Sequence, residues 1–165
     1  ILEDEKPALV VGSPKCAPWS TMQNLCPDTA SKRAKVQEGL VHMQLMSEIY
    51  RRQVDAGRLF LHGEPKLATS WKLDVIKRIA ELPGSRRVDC DQCAYGLVAE
   101  DVDGIAPVLK PTGWLTNSEF IAAELPAPFS FHDRISKISI FRLSLKRLKI
   151  IMTSLLVFLE RSFQI

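Results

Sequence analysis

A short apolar run that ends in a proline-bounded loop is the feature that most constrains this chain. Ala-Leu-Val-Val at residues 8–11 is followed by Gly-Ser-Pro, a pattern typical of a central strand of a parallel sheet that stops at a turn. Cys16 lies in that loop, between Pro14 and Pro18. Because open α/β sheets place their active sites past the carboxyl ends of strands, we take Cys16 as the candidate nucleophile. The alternative is a small core residue beside a strand.

Charge is distributed unevenly along the 165 residues. Residues 1–125 carry 15 Lys and Arg against 17 Asp and Glu, a net charge of −2, and residues 126–165 carry 7 against 2, a net charge of +5. We therefore predict two parts: an α/β domain over 1–125, which is not a basic nucleic-acid wrapper, and a basic amphipathic, helical tail over 126–165. The apolar run in the tail is about 10 residues long, so we predict no transmembrane span.

The chain begins at Ile1 with Leu-Glu-Asp-Glu-Lys, and we expect a missing N-terminal segment of a longer polypeptide. No signal peptide is visible, and four cysteines without one favour reduced thiols, hence an intracellular, reducing compartment, the nucleus in a eukaryote. Cys90 and Cys93 have the spacing of half a zinc site. A single such pair is a weak signal, so we predict no metal and keep a zinc-stabilised domain only as a minor hypothesis.

The first half of the chain predicts a strand–helix–strand unit. Asp28 and Thr29 offer an N-cap for a long helix that Ala56-Gly57 closes. Val41, Leu45 and Ile49 widen the apolar face of that helix. A second buried strand is predicted over 58–62, and Gly-Glu-Pro at 63–65 is expected to form the loop that ends it.

The second half predicts shorter elements. We expect a helix that begins at Ser70 and stops at Pro83-Gly84, strands at 87–89 and 94–97, and a hairpin that joins 108–109 to 114–115. A capping box at 116–119 opens a last helix through Leu125. Strand and helix alternate as in a βαβ-built sheet. The loops at 12–14 and 63–65 would then line one edge, which makes Cys16 and Glu64 expected neighbours.

Four segments carry a resemblance to a known family. Gly-Ser-Pro-Lys-Cys-Ala-Pro-Trp-Ser at 12–20 resembles the Gly/Ser-Pro-Pro-Cys-x-x-Phe-Ser catalytic loop of DNA (cytosine-5) methyltransferases. Residues 58–65 are similar to the strand that ends in that family's Glu-Asn-Val or Glu-Asn-Pro. Residues 91–96 and 110–117 resemble the Cys-x-Tyr-Gly and Lys-Pro-Thr-x-x-x-Thr-Asn blocks of methyltransferase-like sequences from phages and mobile elements. The resemblance spans about residues 8–125.

The resemblance implies a partial Rossmann-like, doubly wound methyltransferase sheet that lacks its N-terminal cofactor-binding half. It implies that Cys16 adds to C6 of a flipped cytosine in DNA, that Glu64 steadies N3, and that S-adenosylmethionine supplies the methyl group. The family's glutamate aligns with Gly63, one residue before Glu64, and the family's Gly-rich cofactor loop is absent. The implied substrate-binding residues are Ser13, Pro14, Lys15, Ser20, Lys110 and Thr112.

Two functions from different classes follow. The first is the catalytic half of a DNA cytosine-5 methyltransferase, inactive as an isolated fragment. The alternative is a non-catalytic nucleic-acid- or protein-binding module of a mobile-element polyprotein. Lys32, Arg33 and Lys35 could contact DNA phosphates, although such a run is more often a solvated helix face.

Overall fold

The computed structural model describes residues 5–102 and 104–125; the predicted tail, 126–165, lies outside them. The described residues form two compact units, one of residues 5–90 and 110–125 and the other within 91–109. The first unit combines helices with a sheet, which confirms the α/β part of the predicted fold class. None of the helices in the described ranges is long and apolar enough to cross a membrane.

Six strands and three α-helices make up the described residues. In chain order they are β1 (Leu9–Gly12), α1 (Ala30–Asp55), β2 (Leu59–Pro65), α2 (Asp74–Ala80), β3 (Arg86–Asp91), β4 (Val98–Asp101), β5 (Gly104–Pro107), β6 (Pro111–Thr116) and α3 (Glu119–Glu124). Short 3₁₀ helices lie at Ala17–Trp19, Thr21–Leu25, Thr69–Lys72 and Gln92–Tyr95.

The larger unit is built on a mixed four-stranded sheet of order β1-β2-β6-β3. β1 runs parallel to β2, with Gly12 opposite His62, and β2 runs antiparallel to β6, with Gly63 opposite Trp114. β1 therefore forms one edge of the described sheet, and its predicted central position is wrong for these residues. β2 is paired along both edges, and its side chains from Phe60 to Glu64 are all buried, which is why this strand organises the core.

The long helix α1 has the predicted ends. The Thr29 hydroxyl accepts a hydrogen bond from the Lys32 N–H at 3.2 Å, which satisfies one of the free N–H groups of the first turn. The helix ends at Asp55, and Gly57 follows with a φ of +67°, a left-handed conformation that glycine adopts without strain.

One face of α1 covers the sheet. Met43, Met46 and Tyr50 are buried. The recurrence of apolar residues at steps of three and four along the chain predicts this buried face. Val41 and Leu45 are 54% and 44% exposed, so the wider apolar face predicted for this helix is wrong. Periodicity gives the centre of a buried face, whereas its width depends on how much of the helix its neighbours cover.

Several local predictions fail because tertiary pairing overrides local pattern. Ser70 lies in a 3₁₀ turn, and helix α2 begins only at Asp74. The predicted strand at 94–97 is not formed: its first two residues lie in the 3₁₀ helix Gln92–Tyr95, and Gly96 ends that helix. Residues 114–115 pair with β2 rather than in a hairpin with 108–109. In the smaller unit, β4 and β5 form an antiparallel hairpin that the sequence did not reveal.

The Asn117 side chain connects the segment before α3 to the sheet. Its Oδ1 accepts from the Phe60 N–H, and its Nδ2 donates to the Arg58 carbonyl, both at 2.9 Å. The side chain thereby continues the pairing of β2 beyond the end of β6. Ser118 then caps α3 by accepting from the Ile121 N–H. The capping box predicts Thr116 as the cap, but Thr116 is the last residue of β6, so the helix begins two residues later than that pattern indicates.

Asn117→Ala should lower the free energy of unfolding by about 1–3 kcal/mol, because the part-buried N–H of Phe60 and carbonyl of Arg58 lose their partner. Urea denaturation monitored by circular dichroism measures the change. Asn117→Asp is the second variant: it keeps the acceptor for Phe60 but sets a carboxylate oxygen against the Arg58 carbonyl, so it should also be less stable than the wild type. Equal stability of all three proteins would contradict the proposed role.

Candidate functional site

Cys16 lies on an exposed loop that a buried tryptophan holds in place. Cys16 follows β1 by four residues and occupies the N-cap position of the 3₁₀ turn Ala17–Trp19, without a capping hydrogen bond from its thiol; the Trp19 N–H donates to the Cys16 backbone carbonyl at 3.0 Å. Trp19 is 4% exposed, whereas Cys16 is exposed. Pro18 fits early in such a turn because its fixed φ is compatible with it. The candidate nucleophile is therefore presented to solvent and is not a core residue.

The segments that follow β1 and β2 are joined by a hydrogen bond. The Thr69 hydroxyl, four residues beyond β2, donates to the Trp19 carbonyl at 3.1 Å. Gly39 of α1 lets this loop approach, since a Cβ at that position would lie 3.0 Å from Trp19 Cζ2. The parallel pairing of β1 and β2 thus brings the cysteine loop and the post-β2 segment to one edge of the sheet.

A cleft of about 270 Å³ opens beside the cysteine loop. Its charged lining is mainly basic, with one carboxylate, Glu38, which lies 3.4 Å from the Lys15 ammonium. The Lys32 ammonium donates to the carbonyls of Gln23 and Cys26 at 2.6 and 3.0 Å, so this lysine also fixes the wall. The lining residues are Lys15, Ala17, Pro18, Gln23, Lys32, Lys35, Val36, Glu38, Gly39 and His42.

The predicted substrate-binding residues separate into two groups. Ser13, Pro14 and Lys15 lie on the cysteine loop, and Ser20 ends it. Ser20 has a structural task, because its hydroxyl accepts from the Met22 N–H and caps the next 3₁₀ helix. The other two predicted residues lie elsewhere.

Lys110 and Thr112 lie at the start of β6, beside the end of β2. Thr112 is 4% exposed and pairs with Pro65, and its hydroxyl donates to the Lys110 carbonyl at 3.1 Å. Lys110 is exposed. Neither residue lines the cleft beside Cys16.

The sequence predicts Glu64 in a loop at the rim of the sheet. Glu64 lies instead inside strand β2. The strand continues to Pro65 because β6 pairs with it, and Glu64 stands opposite Gly113. The Glu64 side chain is 2% exposed, and neither carboxylate oxygen has a hydrogen-bond partner among the described residues. Burial raises the pKa of Glu64 to about 8, so the neutral acid predominates at neutral pH.

The one-residue offset from the family's glutamate places the carboxylate on the other face of the sheet. Successive side chains of a strand point to opposite faces. A Cβ on Gly63 would lie 2.5 Å from Trp114 Cζ3, whereas Glu64 shares its face with His62 and Phe60, toward α1. Trp114 thus occupies the space where the family's carboxylate would project.

Two polar residues that the sequence did not single out as a pair accompany Glu64. The Tyr50 hydroxyl of α1 lies 3.1 Å from His62 Nδ1, and the Tyr50 ring stacks on Phe60 with centroids 4.8 Å apart. Gly12 makes this possible, because a Cβ there would overlap the Tyr50 hydroxyl. Helical spacing marked Tyr50 as a core residue, and no local signal could show that its hydroxyl would meet a histidine 12 residues away.

Burial keeps this group of side chains neutral. It lowers the pKa of His62 to about 4. It also raises the pKa of Tyr50 above its ordinary value, with a smaller contribution from the negative charge on Glu64. His62 Nε2 is buried without a partner among the described residues. A neutral acid, imidazole and phenol therefore lie together between α1 and β2.

No group of three or more His, Cys, Asp or Glu side chains that could hold a metal ion occurs in residues 5–102 and 104–125. Cys90 is buried at the end of β3, and Cys93 lies half-buried in the following 3₁₀ helix. The structure thus offers no zinc site within that part of the chain.

Glu64→Gln should change how stability depends on pH. The folded pKa of Glu64 is raised, so the wild type loses stability as pH rises from the unfolded value near 4.5 to about 8. The folded pKa of His62 is lowered, so stability rises from about pH 4 to 6.5 and offsets that loss. Above pH 6.5 only the Glu64 effect remains, and the free energy of unfolding should fall by about 2 kcal/mol up to pH 8.

Urea denaturation at half-unit pH steps measures this profile. The Glu64→Gln protein should gain stability up to about pH 6.5 and then stay level to pH 8. Glu124→Gln, an exposed carboxylate of α3, is the matched control and should follow the wild-type profile. A wild-type stability that does not fall between pH 6.5 and 8 would contradict a buried, neutral Glu64.

Comparison with known proteins adds no relative: no family model, no curated protein and no solved structure matches this chain.

Proposed function

We propose that residues 8–125 form the catalytic half of a DNA cytosine-5 methyltransferase-like domain, with Cys16 as the nucleophile and a Rossmann-like, doubly wound sheet as its scaffold. The observation that carries the proposal is the exposed thiol just past the carboxyl end of β1, beside the parallel strand β2. This is the edge at which open α/β sheets bind their ligands. The hydrogen bond from Thr69 to Trp19 supports it, because it joins the two segments at that edge.

The step assigned to this chain is thiol addition. The Cys16 thiolate forms a bond to C6 of the pyrimidine, and the displaced electron pair moves into the ring, which is protonated by solvent or attacks an electrophile at C5. The protein's own part is to hold the thiol on a loop fixed by Trp19, so that a base flipped from the duplex meets it in one orientation.

S-adenosylmethionine would supply the methyl group in the family, but the described residues do not fit that cofactor. The glycine that ends β1, Gly12, faces the Tyr50 hydroxyl instead of a cleft. No glycine-rich turn follows any of the described strands. We therefore propose thiol addition without complete methyl transfer for the isolated chain.

The position of the acid supports the same restriction. Glu64 is 2% exposed and faces Tyr50 and His62, whereas Gly63 occupies the family's glutamate position and packs on Trp114. The carboxyl group of Glu64 is therefore covered in this conformation and is not presented to a base at Cys16. The chain keeps the nucleophile of the family in an accessible place and covers its candidate acid.

A non-catalytic nucleic-acid-binding module is the second candidate function. It is favoured by the cleft beside Cys16, whose lining carries Lys15, Lys32 and Lys35 against the single carboxylate Glu38. Such a lining would attract phosphate groups irrespective of base sequence. The two functions differ in one respect, namely whether Cys16 forms a bond to the base.

A DNA duplex with pyrimidin-2-one in place of one cytosine should form a covalent adduct with the protein, because C6 of this base adds thiolates without methyl transfer. Intact-mass spectrometry measures the adduct. Cys16→Ser should abolish it. Cys26→Ser is the matched control, since Cys26 is an exposed thiol on the same stretch of chain, and this variant should react at the wild-type rate.

Absence of an adduct in the wild type, with retained binding of the duplex, would overturn the catalytic proposal and leave the binding module. An adduct that both serine variants reduce equally would show unselective thiol reactivity and would overturn it as well.

A further inference from the structure

The indole of Trp71 covers the buried polar side chains of β2. Its ring meets the His62 ring edge-on, with centroids 5.4 Å apart, and its Nε1 donates to the Pro65 carbonyl at 2.9 Å. Gly113, the cross-strand neighbour of Glu64, has no side chain, and a Cβ there would lie 2.9 Å from Trp71 Cζ2. The indole therefore fills the space above Glu64, against bare backbone.

A cation holds the other side of the indole. The Arg87 guanidinium carbon is 4.1 Å from the Trp71 ring centroid. Arg87 is itself fixed, since it donates to the Lys66 carbonyl at 2.9 Å and to the Asp89 carboxylate at 3.1 Å. A flat ring between an arginine plane and an imidazole edge is held by electrostatic attraction as well as by contact.

Three polar atoms beneath the indole make no hydrogen bond to the described residues. Both carboxyl oxygens of Glu64 and Nε2 of His62 are buried without hydrogen-bond partners among the described residues. Buried polar atoms are rarely left unpaired, because each costs free energy. The hydrogen bond with Tyr50 engages Nδ1 of His62, so Nε2 is the ring nitrogen left over, a donor in one tautomer and an acceptor in the other, and a neutral Glu64 offers one donor beside one acceptor.

That set of donors and acceptors complements the edge of a pyrimidine. The ring nitrogen or carbonyl oxygens of such a base accept hydrogen bonds, and its amino or imide N–H donates one. The carbon atoms of an indole can form no such hydrogen bond with His62 or Glu64. The space that Trp71 fills is thus flat and has polar groups on one side, as a binding site for a base would. The indole that fills it makes no hydrogen bond to those polar groups.

We propose that the Trp71 side chain closes a pocket formed by His62, Glu64, Arg87 and Gly113. When the indole moves out, this pocket binds a planar nitrogen heterocycle. We call this closing side chain the plug. The segment that carries Trp71 is suited to move, because it is a single 3₁₀ turn, Thr69–Lys72, without a side-chain cap at its start. Trp71 itself is half-buried. Only the identification of the heterocycle as a pyrimidine rests on the proposed function.

Binding of free cytosine and of toluene to the full chain, measured by calorimetric titration, tests the plug. Trp71→Ala should bind cytosine at least about tenfold more tightly than the wild type, and adding Glu64→Leu should cancel that gain while toluene still binds. Trp114→Ala is the matched control: it opens a space of similar size beside Gly63 on the opposite face, and it should bind toluene but not cytosine.

Equal affinity of Trp71→Ala for cytosine and toluene, or cytosine binding by Trp114→Ala, would mean that any cavity suffices and would overturn the proposal. Should Trp71→Ala lose its cooperative unfolding transition, Trp71→Phe keeps a ring against Arg87. It should show a smaller gain in cytosine affinity, and no gain would overturn the plug.

The two proposals fail separately. Cysteine 16 plays no part in the pocket, so Cys16→Ser in the Trp71→Ala protein should leave cytosine binding unchanged. Cytosine binding without any adduct at Cys16 supports the plug and overturns the catalytic function. An adduct in the wild type, with no gain in affinity from Trp71→Ala, overturns the plug and leaves the catalytic function standing.

Discussion

β2 is hydrogen-bonded along both edges, in parallel to β1 and antiparallel to β6, and its side-chain alternation decides which chemical groups share a face. His62 and Glu64 point with Phe60 toward α1, whereas Gly63 faces Trp114. A shift of one residue in either pairing would exchange these faces. Every later feature of the site, from the neutral acid to its cover, depends on this register.

The polar residues on β2 make the core of this domain unusual in its electrostatics. A core of apolar side chains would fold without the desolvation penalty that a carboxyl, an imidazole and a phenol bring. Burial neutralises Glu64 and His62 instead of pairing them with opposite charges. A neutral carboxylic acid can donate as well as accept a hydrogen bond, whereas an ionised carboxylate can only accept.

Two tryptophans have opposite effects on the exposure of the thiol and of the acid. Trp19 is buried and holds the loop that presents Cys16 to solvent, whereas Trp71 is half-buried and hides Glu64. The segments that carry them are joined by the hydrogen bond from Thr69 to the Trp19 carbonyl. A movement of Thr69–Lys72 that uncovered the acid would therefore also act on the anchor of the cysteine loop, which couples the two halves of the proposed site.

Elements whose signals are local could be predicted from the order of the amino acids alone. The cap at Thr29 and the glycine at position 57 give the bounds of α1, and the proline-bounded loop gives an exposed Cys16 after a buried strand. The same local signals predict a last helix that ends near Leu125, although its cap is Ser118 and not Thr116 of the capping box. These predictions succeeded because capping, turn formation and apolar periodicity depend on residues within a few positions of one another.

Long-range strand pairing sets the place of Glu64, the edge position of β1 and the pairing of residues 111–116 with β2. Gly-Glu-Pro has the composition of a loop, yet β6 extends the strand through it, because the backbone hydrogen bonds of two strands whose paired residues Glu64 and Gly113 are 49 residues apart outweigh local preference. The hydrogen bond between Tyr50 and His62 and the packing of Trp71 over the polar side chains of β2 likewise join residues from separate elements. Such contacts depend on strand register and helix docking, which long-range packing of the whole domain sets.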